Sequence, residues 1–291
     1  MHHSSLERPA LTGGSLVFPG PTTLAPVMAK SRLDALLVDR GLFESRSRAA
    51  AAVIAGDVRL GAERRRADKP GQLVAADVPV DVAEGPAYVS RGGVKLANAL
   101  DRFGLDPAGR ACLDVGASTG GFTDCLLSRG ARHVVALDVA YGELHWRIRN
   151  DSRVTVLERT NARQADPNAL PYRPDLIVAD VSFISLRKVL PAVLATAADR
   201  FDCLAMVKPQ FELGRGRVGK GGVVRGADDR REALVAVGEF ALGALGASVL
   251  GYASSGLPGP AGNQESFVWL AEGGREGGAS DVEAAAREVE P

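Results

Sequence analysis

The sequence predicts an α/β protein in which a small α+β module precedes a seven-stranded, mostly parallel, doubly wound sheet. Three observations carry this. From Ala111 onward, seven apolar strand-like runs alternate with helical stretches at the spacing of βαβ units. The first run ends in a glycine-rich turn, Asp114 to Phe122 (DVGASTGGF), and the second ends in an acid, Asp138. Upstream, residues 31–85 hold two short helical patterns and several short strand patterns, too little for a large sheet but enough for a separate module.

Taken in order, residues 1–27 lack periodicity and are rich in Pro, Gly, Ser and Thr, which predicts disorder. The chain restarts at Met28, a candidate alternative start. In RLDALLVDRG, Leu33, Leu36 and Leu37 recur at helical spacing and Gly41 closes the pattern. Ser45 opens a second helix that Gly56 ends, and VRL, KPGQLV and VPVDV follow as strands around a basic turn. Pro86 marks a linker. The seven runs of the larger domain are ACLDVG, HVVALDV, RVTVLE, DLIVADV, CLAMVK, ASVLGY and SFVWLA. The expected division is therefore a disordered extension (1–27), a module (28–85), the sheet domain (86–271) and a disordered acidic tail (272–291), with a weak helix near 282–289.

Composition narrows the function classes. Hydrophobic residues make up 46% of 291, which supports a sizeable core. No apolar run reaches the roughly 18 residues that span a bilayer, and the first residues do not resemble a secretory signal. The three cysteines have no CxxC spacing, so neither a disulfide framework nor a metal site is expected, and the reading is a cytoplasmic chain with no membrane partner. Net charge is zero, but the last 20 residues hold six acids, leaving 33 basic against 29 acidic side chains elsewhere. The basic excess clusters at Arg64, Arg65 and Arg66 and at Arg215, Arg217, Lys220 and Arg225, where phosphates could be met. For such clusters alone, an ordinary solvated charge run explains as much. The glycines of the second cluster (FELGRGRVGKGGVVRG) would let it move as a lid.

The glycine turn closes a strand and opens a helix. Gly116 permits a sharp turn, and Gly120 and Gly121 let backbone approach a ligand. Ser118, Thr119 and Phe122 complete the turn. The pattern is not GxGxxG. With Asp138 placed to accept bonds from ribose hydroxyls, and Asp114 placed to help hold a cationic amino-acid group, S-adenosyl-L-methionine fits better than a dinucleotide. Asn161 and Ala162 follow the third strand, where an adenine ring would be read. Asn161 either bonds the base or only forms the turn.

Four charged residues stand out: Lys95 in SRGGVKL, Asp180 in LIVADVSFIS, Lys208 in LAMVKPQFE and Glu265 in GNQESFVW. Asp180 and Lys208 end adjacent predicted strands at the carboxyl edge, where open α/β sheets bind ligands. A lysine ending an apolar strand needs a partner, because burying its charge alone is costly. Such a set suits methyl transfer to a ribose hydroxyl, in which oxygen, methyl carbon and sulfur must lie in line while the proton departs. Lys208 is read as the base, Lys95 as steering the hydroxyl, and Asp180 and Glu265 as orienting the lysines. A structural salt bridge is the alternative for Asp180 and Lys208.

With these motifs in order, residues 28–270 resemble the TlyA-type (hemolysin A) ribosomal RNA methyltransferases. SRGGVKL, LDVGASTGGFTD, YGELHWRIRND, ADVSFISL, VKPQFELG, GGVVR and GNQE carry the resemblance. It implies a class I, Rossmann-like, FtsJ-like catalytic domain whose Lys-Asp-Lys-Glu tetrad maps onto Lys95, Asp180, Lys208 and Glu265. It also implies S-adenosyl-L-methionine as cofactor, a cytidine ribose in ribosomal RNA of one or both subunits as substrate, and an effect on capreomycin-type antibiotic sensitivity. The module resembles the alpha-L RNA-binding domain named after ribosomal protein S-four, through Arg32, Asp34, Gly41, Ser45, Arg46, Arg48, Ala49, Ile54, Gly56, Val58, Lys69 and Pro70. Arg32, Arg46, Arg48, Arg64, Arg65, Arg66, Lys69 and Arg91 are the expected RNA contacts, gripping the backbone of structured RNA. The competing readings are a non-catalytic ribosome assembly factor and a membrane-active hemolysin.

Overall fold

The computed structural model describes residues 30–83 and 87–290. The extension 1–27, Met28 and the Pro86 linker lie outside the described residues. The chain divides into two compact units, 1–85 and 86–291.

In the first unit, β1 (Lys30–Arg32) leads into α1 (Leu33–Asp39) and α2 (Arg46–Ala55). Then come β2 (Val58–Leu60), β3 (Arg65–Arg66), β4 (Leu73–Ala75) and β5 (Val80–Val82). Ser45 caps α2 by accepting from the Arg48 N–H, and Gly56 ends it in the left-handed conformation. The strands β3, β2 and β5 form one antiparallel sheet, and β1 pairs with β4. Leu33, Leu37, Ala49, Val53 and Val58 are buried in a small core. Strands β1 and β3 were not legible in the sequence: at two or three residues, with arginine in both, they carry no alternation.

In the second unit, α3 (Arg91–Phe103) precedes β6 (Ala111–Val115), α4 (Gly121–Ser128), β7 (His133–Leu137), α5 (Trp146–Arg149) and β8 (Val154–Leu157). There follow β9 (Leu176–Ala179), α6 (Leu190–Leu194), β10 (Asp202–Val207), α7 (Pro209–Glu212) and α8 (Ala227–Leu245). Strands β11 (Ser248–Ser254) and β12 (Ser266–Ala271) and helix α9 (Val282–Arg287) complete it. All seven strand runs form one sheet in the order β11-β12-β10-β9-β6-β7-β8. Six of the seven strands run in one direction, and β12 is antiparallel to both its neighbours, β10 and β11. The sheet is buried on both faces beneath two apolar clusters, which is why its strands read as continuous hydrophobic runs. The order reverses between β6 and β9, so a crevice opens at their carboxyl ends.

The tail departs from expectation. Residues 272–290 pack against the domain rather than remaining disordered. Asp281 caps α9, and Val282 and Ala286, four apart on one face, are buried against the sheet cluster. Glu290, 5% exposed, is held by Arg230 at 2.8 Å. Arg275 bridges Glu272 and Asp202. Of the acids that suggested a solvated tail, Glu290 finds Arg230 on the fold, while Glu272 and Glu283 pair with Arg275 and Arg287 of the tail itself.

Candidate active site

Two adjoining clefts, about 470 and 410 Å3, lie at the carboxyl end of the sheet and share Gly116, Ser118, Asp180 and Ser182. The larger is lined by Asp138, Glu143, Thr160, Asn161, Ala162 and Phe183, among others. The smaller is lined by Arg91, Lys95, Thr119, Gly121, Phe122, Lys208 and Glu265.

The glycine turn explains the first cleft. Gly116 has φ +84°, and a Cβ there would lie 2.5 Å from the Asp180 carbonyl oxygen. Only glycine lets β6 and β9 approach so closely at the reversal point. Ser118 also adopts a left-handed φ of +46°, which aims its N–H at Asp138 Oδ2, 2.7 Å away. Ala140 N–H donates to Asp138 Oδ1 at 2.8 Å. Two backbone donors thus fix the Asp138 carboxylate at the cleft wall. Asn161 Oδ1 accepts from the Arg163 N–H at 3.0 Å, so the side chain does form the turn, and the residue also lines the cleft.

Two expected ligand contacts sit elsewhere. Asp114 is fully buried and lines neither cleft. Its Oδ2 accepts from the Thr123 N–H (2.9 Å) and Oγ1 (2.6 Å), tying the strand end to the first turn of α4. Its Oδ1 is buried without a partner, and burial raises its pKa to about 7 against the pull of Thr123. Gly120 uses φ +92° to turn into α4, and its outer face packs against Leu144 and Ile148 rather than facing the cleft.

The four charged residues meet in the second cleft. Lys208 Nζ lies 2.6 Å from Asp180 Oδ1 and donates to Ser182 Oγ at 2.8 Å. Lys95 Nζ lies 2.5 Å from Glu265 Oε2, with side-chain exposures of only 8% and 2%. Each residue comes from a different element: Lys95 from α3, Asp180 from the end of β9, Lys208 from the end of β10, and Glu265 from just before β12. Residues 95 and 265 are brought together by the antiparallel return of β12 beside β10.

Sequence reasoning missed several neighbours. Ser182 completes the Lys208 shell. Phe183 stands 91% exposed in a left-handed φ of +64°, 5.4 Å from the Phe211 ring. The buried Glu212 accepts from Ser185 Oγ (2.6 Å) and the Leu186 N–H (2.7 Å), clamping the loop that carries both. The signal was present in the motifs SFIS and KPQFE, whose polar ends have no role on an apolar strand. Among the described residues, no group of three or more His, Cys, Asp or Glu is placed to hold a metal.

In the first unit, Arg32 and Arg46 both converge on the buried Asp34, which they hold at a pKa of about 2. Arg48 bonds Glu44, Arg64 pairs with Asp81, and Arg66 reaches the Ile54 carbonyl. Arg65 and Lys69 are exposed. In the second unit, Arg91 donates to the Pro258 carbonyl at 2.9 Å, at the rim of the smaller cleft.

Residues 88–272 match the family model described as FtsJ-like methyltransferase. The chain belongs to this family. It is 51% identical over 243 residues to the 16S/23S rRNA (cytidine-2'-O)-methyltransferase TlyA of Mycobacterium tuberculosis, covering 83% of this chain and 90% of the relative. It is 40% identical over 195 residues to Hemolysin A of Brachyspira hyodysenteriae, covering 67% and 80%. A solved structure from Streptococcus thermophilus, 37% identical, superposes with a TM-score of 0.66 over 90% of this chain and 96% of that one. The FtsJ-like assignment thus covers the whole sheet and every residue of the two clefts.

Proposed function

We propose that this chain transfers a methyl group from S-adenosyl-L-methionine to the 2′-hydroxyl of a cytidine in ribosomal RNA, of the small subunit, the large subunit or both. The observation that carries the reading is the pairing of two buried lysines with two carboxylates around one cleft beside the glycine turn. The rRNA methyltransferase relative, alike over most of both chains, supports the substrate class.

The clefts suit the cofactor. Gly116 leaves room that any side chain would fill, Asp138 retains lone pairs for ribose hydroxyls, and Asn161 offers an amide donor to an adenine nitrogen. When bound, S-adenosyl-L-methionine supplies an electrophilic sulfonium methyl. The protein's own work is then positional. Lys208, oriented by Asp180 and Ser182 and entering the step as the neutral amine, takes the proton of the 2′-hydroxyl as the oxygen bonds the methyl carbon and the carbon–sulfur bond breaks, and Lys95, oriented by Glu265, steers that oxygen. The first unit, read as an alpha-L type RNA-binding domain, grips structured RNA through Arg32, Arg46, Arg48, Arg64, Arg65, Arg66 and Lys69, with Arg91 beside the cleft. The setting is the cytoplasm, where ribosomes are modified. Although one relative is named a hemolysin, among the described residues no helix is long and apolar enough to cross a membrane.

The test is transfer of labelled methyl to purified, unmodified ribosomal subunits, each presented separately. Label on one or both RNAs is expected. Lys208→Ala should bind cofactor normally while turnover falls by about 10²–10⁴-fold. No label on either subunit, with cofactor binding intact, would overturn the reading in favour of a non-catalytic assembly factor.

A further inference from the structure

The motif GNQE contributes Glu265 to the cleft, but its asparagine is as buried as the glutamate. Asn263 is 2% exposed in the β11–β12 connection. Its Oδ1 accepts from the Val224 N–H at 2.9 Å, and its Nδ2 donates to the Gly222 carbonyl at 2.8 Å. Both partners belong to the basic loop that follows α7, in which Lys220 and Arg225 stand exposed on either side of the bonded segment. Val224 between them is 2% exposed, so the loop is anchored at one buried point. Farther back, Arg217 ties the loop to Asp229 at 2.5 Å and Glu232 at 2.7 Å.

The backbone of Asn263 belongs to the connection that supplies Pro258, Pro260 and Glu265 to the cleft. Its backbone carbonyl accepts from the Gly259 N–H at 2.8 Å, closing a tight turn. Gly259 has no room for a side chain, because the Glu265 carboxylate occupies the place a Cβ would take. The opposite oxygen of that carboxylate holds Lys95. From α3, Arg91 bonds the neighbouring Pro258 carbonyl. A short chain of packed groups thus runs from the basic loop through Asn263 and Gly259 to the Lys95–Glu265 pair.

Only a carboxamide of this length offers a donor and an acceptor from one carbon. Aspartate would keep the bond to Val224 but lose the one to the Gly222 carbonyl, and alanine would lose both, leaving the buried Val224 N–H unpaired.

We propose that Asn263 is a positioning residue that couples the basic loop to the seat of Glu265, so that an RNA phosphate engaging Lys220 and Arg225 sets the Lys95–Glu265 pair for reaction. The inference rests on the RNA methyltransferase reading above. It predicts that the loop's charges affect turnover and not only RNA binding, and that they do so through Asn263.

The test is a double-mutant cycle on the full chain with ribosomal subunits as substrate. Its arms are the parent, Lys220→Ala with Arg225→Ala, Asn263→Ala, and all three together. Thermal unfolding and cofactor affinity are measured alongside. In the parent background, removing the two charges should lower kcat about tenfold, beyond any rise in KM. In the Asn263→Ala background the same removal should change kcat less than about twofold. Asn263→Asp, which keeps the bond to Val224 and loses the one to Gly222, serves as the second background if the alanine variant does not fold, and there the same removal should change kcat less than in the parent. Equal kcat ratios in both backgrounds, or an effect confined to KM, would overturn the coupling. Absence of transfer by the parent protein would instead overturn the functional reading beneath it.

Discussion

The buried Lys95–Glu265 pair separates a structural salt bridge from a working one. Glu265→Leu leaves the Lys95 ammonium, 8% exposed, with no counter-charge. Breaking a buried pair in this way costs about 3–5 kcal/mol. In a domain of this size each kcal/mol moves Tm by roughly 2–4 °C, so the loss is roughly 6–20 °C. Adding Lys95→Met replaces the pair with apolar side chains of similar volume, a change that is often neutral or stabilising. The double variant should therefore recover most of the parent's Tm. Its methyl transfer should remain down by about 10²-fold or more, since nothing in it can steer a hydroxyl. Calorimetry and labelled methyl transfer on the same preparations give both readings, and cofactor titration shows the first cleft intact. Restored turnover in the double variant would refute the catalytic assignment and leave a salt bridge. An unchanged Tm in the single variant would refute the account of burial.

Three further outcomes follow from the geometry. Gly116→Ala forces a left-handed alanine against the Asp180 carbonyl; it should cost about 1–3 kcal/mol and abolish measurable cofactor binding by calorimetric titration. Ending the chain at Ser280 removes Val282 and Ala286 from the core and Glu290 from Arg230; chemical denaturation should show about 2–3 kcal/mol lost. Asp114 has its pKa raised by burial from 3.8 to about 7, so it holds its proton in the folded state more tightly than in the unfolded chain. Its contribution to stability is full below about pH 4 and is lost as pH rises to about 7. Thermal scans of Asp114→Asn should therefore gain on the parent as pH rises through that window, and a constant difference would count against the assignment.

The sheet was legible because its strands are buried on both faces and so read as apolar runs. The site was legible where chemistry and periodicity disagree: Lys208 and Asp180 interrupt apolar strands at their ends, and Gly116 sits where a side chain would strike backbone. What stayed hidden depends on partners distant in sequence. Asp114 looked like a ligand contact because an acid beside a glycine turn often is one, yet its nearest donor is Thr123, nine residues on and one helical turn into α4. The acidic tail looked solvated because its arginine partners, Arg230 and Arg231, lie on the far side of β11 and β12 in sequence.

Asp114 and Lys95 show how burial assigns different work to charged groups a few residues from one cleft. Asp114 accepts from a helix turn and, among the described residues, pairs with no cation, so its environment favours the neutral acid, and its bonds fix the strand–helix junction. Lys95 and Lys208 are each given a carboxylate within 2.6 Å, which holds the amine in place at the cleft. A fold that needed only stability at the end of β10 would do as well with leucine there. Keeping two lysine–carboxylate pairs, one of them fully buried, around a glycine-lined cleft is costly to stability and useful to a reaction, and a proton leaving a ribose hydroxyl is a reaction that uses both lysines.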